Sequence, residues 1–380
     1  MPPTLTYEVL LAPHLATREP VQVGPWLIGP PEAHQWPSPD VRAATDRLLT
    51  RYDATASPPT VISLLDGCAG VPVGCRVDEL SSLQRSLSFV GLDGNPDVHA
   101  EGWAAYRAVT ADNLDITGWK LDLDEGYFST RRGALVATHS LGLRLEDTAS
   151  RIPVPTEIQH PEAIDLDHEL ASTLLDYLTK PPGSGSDEPQ RVAVAIDWLT
   201  LAWRNTTSVA SAARLIFLRT ALEALFPGNA PQTARALREH FKRFADAVSI
   251  PVDSRLDELL WSPTEAPTHP ARVKKRGELN TDLQDWFWSF NEARNDIIHD
   301  GQAESQVYDG SAAAYQGELF WTAERLVREV IRTKLAIAGY GDIWRRPDSR
   351  RTYRAAVAAL EEYEARRTDQ AASTPDGESE

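Results

Sequence analysis

Residues 280–301 read NTDLQDWFWSFNEARNDIIHDG, and their periodicity decides the fold of the C-terminal part of the chain. Leu283, Trp286, Phe287, Phe290, Ile297 and Ile298 fall on one face at helical spacing. Asn280 is a favoured N-cap residue, and Gly301 is the residue favoured just past a helix end. The stretch predicts an amphipathic helix over 280–299. One residue interrupts the pattern. At about 100° per residue, Arg294 falls inside the apolar stripe, where a charge is costly unless it is paired. Glu223, on an upstream helix expected to pack alongside, is the expected partner. Asn295 and His299 are four residues apart and share a neighbouring face, one turn from each other.

The same spacing recurs on both sides of this stretch. Val192, Ala195, Ile196, Leu199 and Trp203 mark one helix, 208–226 a second and 232–248 a third. Two more are expected over 314–338 and 351–367, before an acidic tail at 367–380 expected to be disordered. Upstream, Pro181-Pro182-Gly183-Ser184-Gly185-Ser186-Asp187 cannot pack and reads as a linker; no strand precedes it, so Gly-Ser-Gly is not read as a nucleophile turn. A short helix over 165–178 precedes that linker. The first 160 residues differ in character. Tyr7–Leu11, Thr60–Leu65 and Ala134–Thr138 are apolar runs bounded by turn residues, and a helix is expected near Pro39–Tyr52. The expected organisation is α+β: a mainly-β domain over 1–160, a connecting segment over 161–189, and an all-α helical bundle over 190–366.

Composition narrows the function classes. With 42% hydrophobic and 24% charged residues the chain has the make-up of a soluble globular protein, and no apolar run is long enough to span a bilayer. Cys68 and Cys75 are the two cysteines, and the N-terminus lacks the features of a secretory signal, so a reducing cytoplasm is expected. A net charge of −17 argues against a broad, sequence-independent grip on nucleic acid; RNA contact would need a local cationic patch. The nine histidines show no metal-ligand spacing. The closest grouping, His160, Asp165, Asp167 and His168, reads as an acidic helix start, and no phosphate-binding glycine loop is present. No metal or cofactor is expected.

The chemistry that suits a guanidinium and an imidazole on one helix is transfer at an RNA phosphodiester. One group removes the 2′-hydroxyl proton, another protonates the leaving oxygen, and the guanidinium stabilises charge building around phosphorus. Such a site needs no metal. Arg294-Asn295-Asp296-Ile297-Ile298-His299 resembles the motif of the HEPN ribonuclease superfamily, an arginine, a polar residue and then a histidine after four to six positions. Trp198 and Trp203, then Phe217-Leu218-Arg219-Thr220-Ala221-Leu222-Glu223-Ala224-Leu225-Phe226, then Arg294–Gly301, resemble more specifically its ApeA-like branch. The likeness covers about residues 190–340.

It implies a four- to five-helix bundle that pairs as a homodimer about a twofold axis, bringing two motifs together. Members of the family include RNA-cleaving toxins and effectors of defence against phage, so a protein or phage-derived trigger is expected at the N-terminal domain. Carried onto this chain, Arg294 is the phosphate-stabilising residue, Asn295 its polar partner and His299 the acid–base group, with Glu223 in support. The family often has serine where Asn295 stands. Arg235, Arg238 and Lys242, with Lys274, Lys275 and Arg276, are candidate RNA contacts; their other reading is a solvated helix face and loop. The rival function is a non-catalytic HEPN module that dimerises or binds RNA or nucleotide within a complex. One geometric tension stands. On a straight helix Arg294 and His299 point about 140° apart, so they meet only if the Arg side chain curls round, the last turn distorts, or a second subunit supplies one of them.

Overall fold

The computed structural model describes residues 6–17, 19–52, 55–65, 67–70, 77–94, 98–99, 106–107, 110–123, 127–130, 135–137, 164, 166–180, 187–204, 211–248, 282–300 and 310–340. The chain divides into two compact units. The first comprises 1–100, 106–189 and 203–209, the second 101–105, 190–202 and 210–380.

The first unit is built on a seven-stranded antiparallel sheet. Its strands are β1 (Thr6–Ala12), β2 (Val21–Val23), β3 (Trp26–Gly29), β4 (Thr60–Leu64), β7 (Thr117–Asp122), β8 (Tyr127–Thr130) and β9 (Leu135–Ala137). They lie in the order β2-β3-β4-β1-β7-β8-β9, while β5 (Val98–His99) and β6 (Tyr106–Arg107) form a separate pair. As the central strand, β1 buries Val9, Leu10, Leu11 and Ala12 almost completely. Val9 and Leu11 meet α1 (Pro39–Leu49) through Val41, Ala44 and Leu48, joined by Val61, Trp119 and Leu121. Helix α1 starts where the sequence says it should: Ser38 is extended and its hydroxyl accepts from the Val41 N–H at 3.3 Å, with Pro39 at the first turn. Two further helices, α2 (Val77–Gly94) and α3 (His168–Thr179), pack on each other, and α3 also packs on β2. The expected strands at 7–11, 60–65 and 134–138 correspond to β1, β4 and β9, and the sheet is joined by helices α2 and α3 within one unit.

The second unit is helical. Its elements are α4 (Glu188–Ala202), α5 (Ser211–Leu225), α6 (Ala230–Val248), α7 (Asp282–Asp300) and α8 (Gly310–Leu335), the last closed by a wide turn in which Gly339 takes φ +100°. Helix α5 packs on α7 and α8, and α6 packs on α7. Leu218, Leu222, Phe287, Phe290, Val327 and Ile331 form the interior. Trp286 stacks on Phe290 at 4.9 Å and Trp198 on Phe217 at 5.6 Å. The N-cap at Asn280, most of the 181–187 linker, the helix over 351–367 and the acidic tail lie outside the described residues.

Helix α8 carries charge into this interior. Glu324 pairs with Arg328 at 3.1 Å, and Glu329 and Arg332 are also buried. Burial raises the Glu329 carboxyl to about 8, against a smaller opposing pull from Arg328, and lowers Arg332 to about 10. Across from them, His240 of α6 lies 2.6 Å from the Thr333 hydroxyl. That hydroxyl donates its own proton to the Glu329 carbonyl at 2.7 Å, so the imidazole Nε2–H is the donor to Thr333. Burial foremost, with Lys334 and Arg243 nearby, lowers His240 to about 3 and keeps it neutral.

Candidate functional site on helix α7

Helix α7 has two halves in different surroundings. Leu283, Trp286, Phe287 and Phe290 of the first half are buried. Arg294, Asn295 and Ile297 are half-buried, and His299 is exposed. Ile298 is 44% exposed, one of few large apolar side chains at the surface among the described residues. The apolar stripe thus runs on past the part of the helix that the bundle covers. Arg294 stands at that boundary, which is why a charge is tolerated on this face.

Within this half the Arg294 Nη1 donates to the Asn295 Oδ1 at 2.9 Å. The helix is regular through Asp300, so a distorted last turn is not how Arg294 and His299 would be brought together. Viewed down the axis, Asn295 lies about 100° round from Arg294, and His299 only about 40° beyond Asn295. The bond draws the guanidinium sideways, out of its own sector and toward the sector of His299. His299 is one turn further on, about 6 Å along the axis. Asn295 is thus the group that holds the Arg294 guanidinium.

Glu223 does not take the place expected of it. Its Oε1 accepts from Nη2 of Arg219 at 3.1 Å, one turn away on the same helix α5. The reason is local: an i, i+4 pair on one helix needs no particular packing between helices, whereas a bond to Arg294 would. Arg219 is the functional candidate that sequence reasoning missed. Its side chain is 1% exposed, and its Nε and Nη1 have no hydrogen-bond partner among the described residues. Burial foremost lowers its pKa, Glu223 opposes that, and the charge of Arg294 lowers it further, so the two guanidiniums act on each other. The signal in the sequence was a charge inside the apolar run Phe217-Leu218-Arg219-Thr220-Ala221-Leu222.

The remaining candidates fall elsewhere. On α6, Arg235 and Lys242 are exposed and Arg238 is half-buried; this is the strongly amphipathic helix of the unit. Lys274, Lys275 and Arg276 lie outside the described residues, as do His160 and Asp165. Asp167 caps α3, accepting from the Leu170 N–H at 2.9 Å, as its place at a helix start suggests. Among the described residues no cluster of three His, Cys, Asp or Glu side chains is arranged to hold a metal ion. No helix among them is long and apolar enough to cross a membrane. In the first unit His34 Nδ1 lies 2.8 Å from the Ser63 hydroxyl, but both side chains are buried and the imidazole Nε2 faces the Gly29 carbonyl at 3.3 Å, an arrangement that ties β4 to the turn after β3. No protein-family model, curated protein or solved structure matches the chain.

Proposed function

We propose that the helical unit is a HEPN-type endoribonuclease, of the ApeA-like kind, that cleaves RNA without a metal ion. The observation that carries this reading is the hydrogen bond that holds the Arg294 guanidinium on Asn295, on one unbroken helix with an exposed His299. A cation and an imidazole so placed suit in-line attack on a phosphodiester. A base takes the 2′-hydroxyl proton, and the 2′-oxygen bonds to phosphorus. The bond to the 5′-oxygen breaks, and a protonated imidazole supplies the proton to that leaving oxygen. Arg294 offsets the charge that accumulates on the non-bridging oxygens. Two proton-handling groups are needed at once, and a homodimer that joins two copies of α7 supplies two His299 side chains. The exposed Ile298 beside the motif suits such a contact. In this reading the first unit receives a protein or phage-derived trigger, and the setting is cytoplasmic defence or toxin action.

The net charge of −17 favours a second reading, a non-catalytic module that dimerises or binds RNA or nucleotide. Incubating the full chain with total RNA in EDTA separates the two. The enzyme yields fragments ending in 2′,3′-cyclic phosphate. Arg294→Ala should lower the rate about 10²–10³-fold and His299→Ala about 10²–10⁴-fold. Intact RNA at high protein concentration, with candidate triggers added, would leave only the binding module.

A further inference from the structure

The outer face of α6 carries mostly one sign of charge. Arg235, Lys242 and Arg243 are exposed and Arg238 is half-buried, with Glu239 as the one carboxylate between them in sequence. At about 100° per residue the four cations fall within a sector of about 140°, spread over about 12 Å of helix axis. The helix itself sets that spacing, since all of them stand on the continuous run Ala230–Val248. Glu239 lies one turn from Arg235 and from Arg243, yet among the described residues it pairs with neither. Arg238 and Lys242 are also one turn apart, a like-charged spacing that destabilises a helix. The whole chain carries −17, so its solubility does not require cations here.

The opposite face of α6 is occupied. Leu237, Phe241 and Phe244 are buried, and the helix packs on α7 and α8. A helix so seated has no apolar side left to enter a bilayer. The outer face suits an acidic protein poorly as well. Among the described residues the exposed large apolar side chains are Leu65, Leu201 and Ile298, none of them on α6, and a protein partner needs such anchors. What the face offers is charge in a line, which complements a polyphosphate backbone. The acidic remainder of the chain repels such a strand and confines it to this strip.

We infer that the outer face of α6 is a track for the RNA backbone, on which Arg235, Arg238, Lys242 and Arg243 hold phosphates of one strand, while α7, packed on the same helix, carries the cleavage motif. That α6 binds a polyphosphate follows from its own charge; that the polyphosphate is RNA rests on the ribonuclease reading. Three of the four cations are arginines, whose planar forks match two oxygens of one phosphate. Contacts of this kind position a strand without reading its bases.

The full chain is titrated against a fluorescently labelled single-stranded 2′-deoxy oligonucleotide, which this chemistry cannot cleave, and anisotropy is read over a series of salt concentrations. The logarithm of affinity should fall against the logarithm of salt with a slope of about −2 to −3, about −0.7 for each phosphate neutralised. Arg235→Gln, Lys242→Gln and Arg243→Gln combined should remove about 2 from that slope and weaken binding about tenfold or more at low salt. All three side chains are exposed, so the variant should keep the parent's circular dichroism. Arg47→Gln, Lys120→Gln and Arg191→Gln, also exposed, remove the same charge elsewhere and should leave the slope as it was. An equal loss in both variants means a diffuse field and overturns the inference, as does parent-like binding in the α6 variant. A poly-glutamate peptide that displaces the oligonucleotide charge for charge also overturns it, because the face would then suit acidic protein. Cleavage of total RNA keeps the two readings apart. Oligonucleotide binding of this pattern in a protein that leaves RNA intact keeps the track and removes the ribonuclease reading. Cleavage that needs His299 but proceeds unchanged in the α6 variant removes the present inference alone.

Discussion

His240 and Glu329 are buried titratable groups of the same helical unit, and they bend the pH dependence of stability in opposite senses. His240 falls from an ordinary 6.5 to about 3. The unfolded chain therefore binds the extra proton first, and stability is lost as pH drops from about 6.5 to about 3. Glu329 rises from 4.5 to about 8, so the folded chain holds a proton that the unfolded chain releases, and stability is lost as pH climbs between those values. Between about 4.5 and 6.5 the two slopes oppose each other, and the contribution of the pair is flattest there. Between 6.5 and 8 Glu329 acts alone of the two. Glu329→Gln should flatten the decline in urea midpoint over that interval, removing up to about 1.4 kcal/mol per pH unit. An unchanged slope in the variant would show that Glu329 is ionised in the folded protein. His240→Gln, which keeps an N–H for Thr333, should correspondingly remove a share of the acid-side loss.

At the level of elements, the β2–β3 hairpin shows how a single turn fixes the position of a helix. Gly24 takes φ +56°, its N–H donates to the Ser172 hydroxyl of α3 at 3.1 Å, and a Cβ there would stand 2.9 Å from Leu175 Cδ2. Gly24→Ala combines backbone strain with a clash against α3, and a loss of about 1–3 kcal/mol is expected; a thermal midpoint equal to the parent's would count against it. Such cross-chain dependence also explains which elements were legible in the sequence. Strands β1 and β4 announce themselves through β-branched and leucine runs. Strand β7, Thr117-Gly118-Trp119-Lys120-Leu121-Asp122, carries a glycine and two charges; its state is set by pairing with β1, where Trp119 faces Val9 and Leu121 faces Tyr7. In α2 the apolar set Leu83, Leu87 and Val90 is diluted by buried serines, and Ser86 turns its hydroxyl onto the Ser82 carbonyl at 2.9 Å. A serine that satisfies itself inside the helix reads from sequence as a polar position. The candidate site divides in the same way. Arg294, Asn295 and His299 sit on one helix and their spacing is visible. The role of Arg219 depends on what α5 meets, and no spacing rule contains that.

For the chain as a whole, the path between the two units matters as much as the units. Residues 190–202 lie in the helical unit, yet 203–209 return to the first. There the Ala111 N–H donates to the Trp203 carbonyl at 3.1 Å. Arg204 grips two carboxylates at once, Asp112 at 2.9 Å and Asp115 through both terminal nitrogens, and the Asp115 bond foremost raises its own pKa. The Asp112 side chain is 1% exposed, so Arg204→Met should destabilise the sheet-bearing unit by about 3–5 kcal/mol, the cost of stripping a cation from a buried carboxylate. Near-UV circular dichroism unchanged across the parent's melting range would refute this. The same clasp sets a limit on modular exchange. A genetic crossover in the Pro-Gly-Ser stretch at 181–187, the obvious seam, would graft on a foreign Trp203–Arg204 equivalent and leave Asp112 facing whatever the donor brought. Lineages that exchange the helical unit are therefore expected to keep Trp203 and Arg204 with the first unit, or to lose the acidic pair together with them.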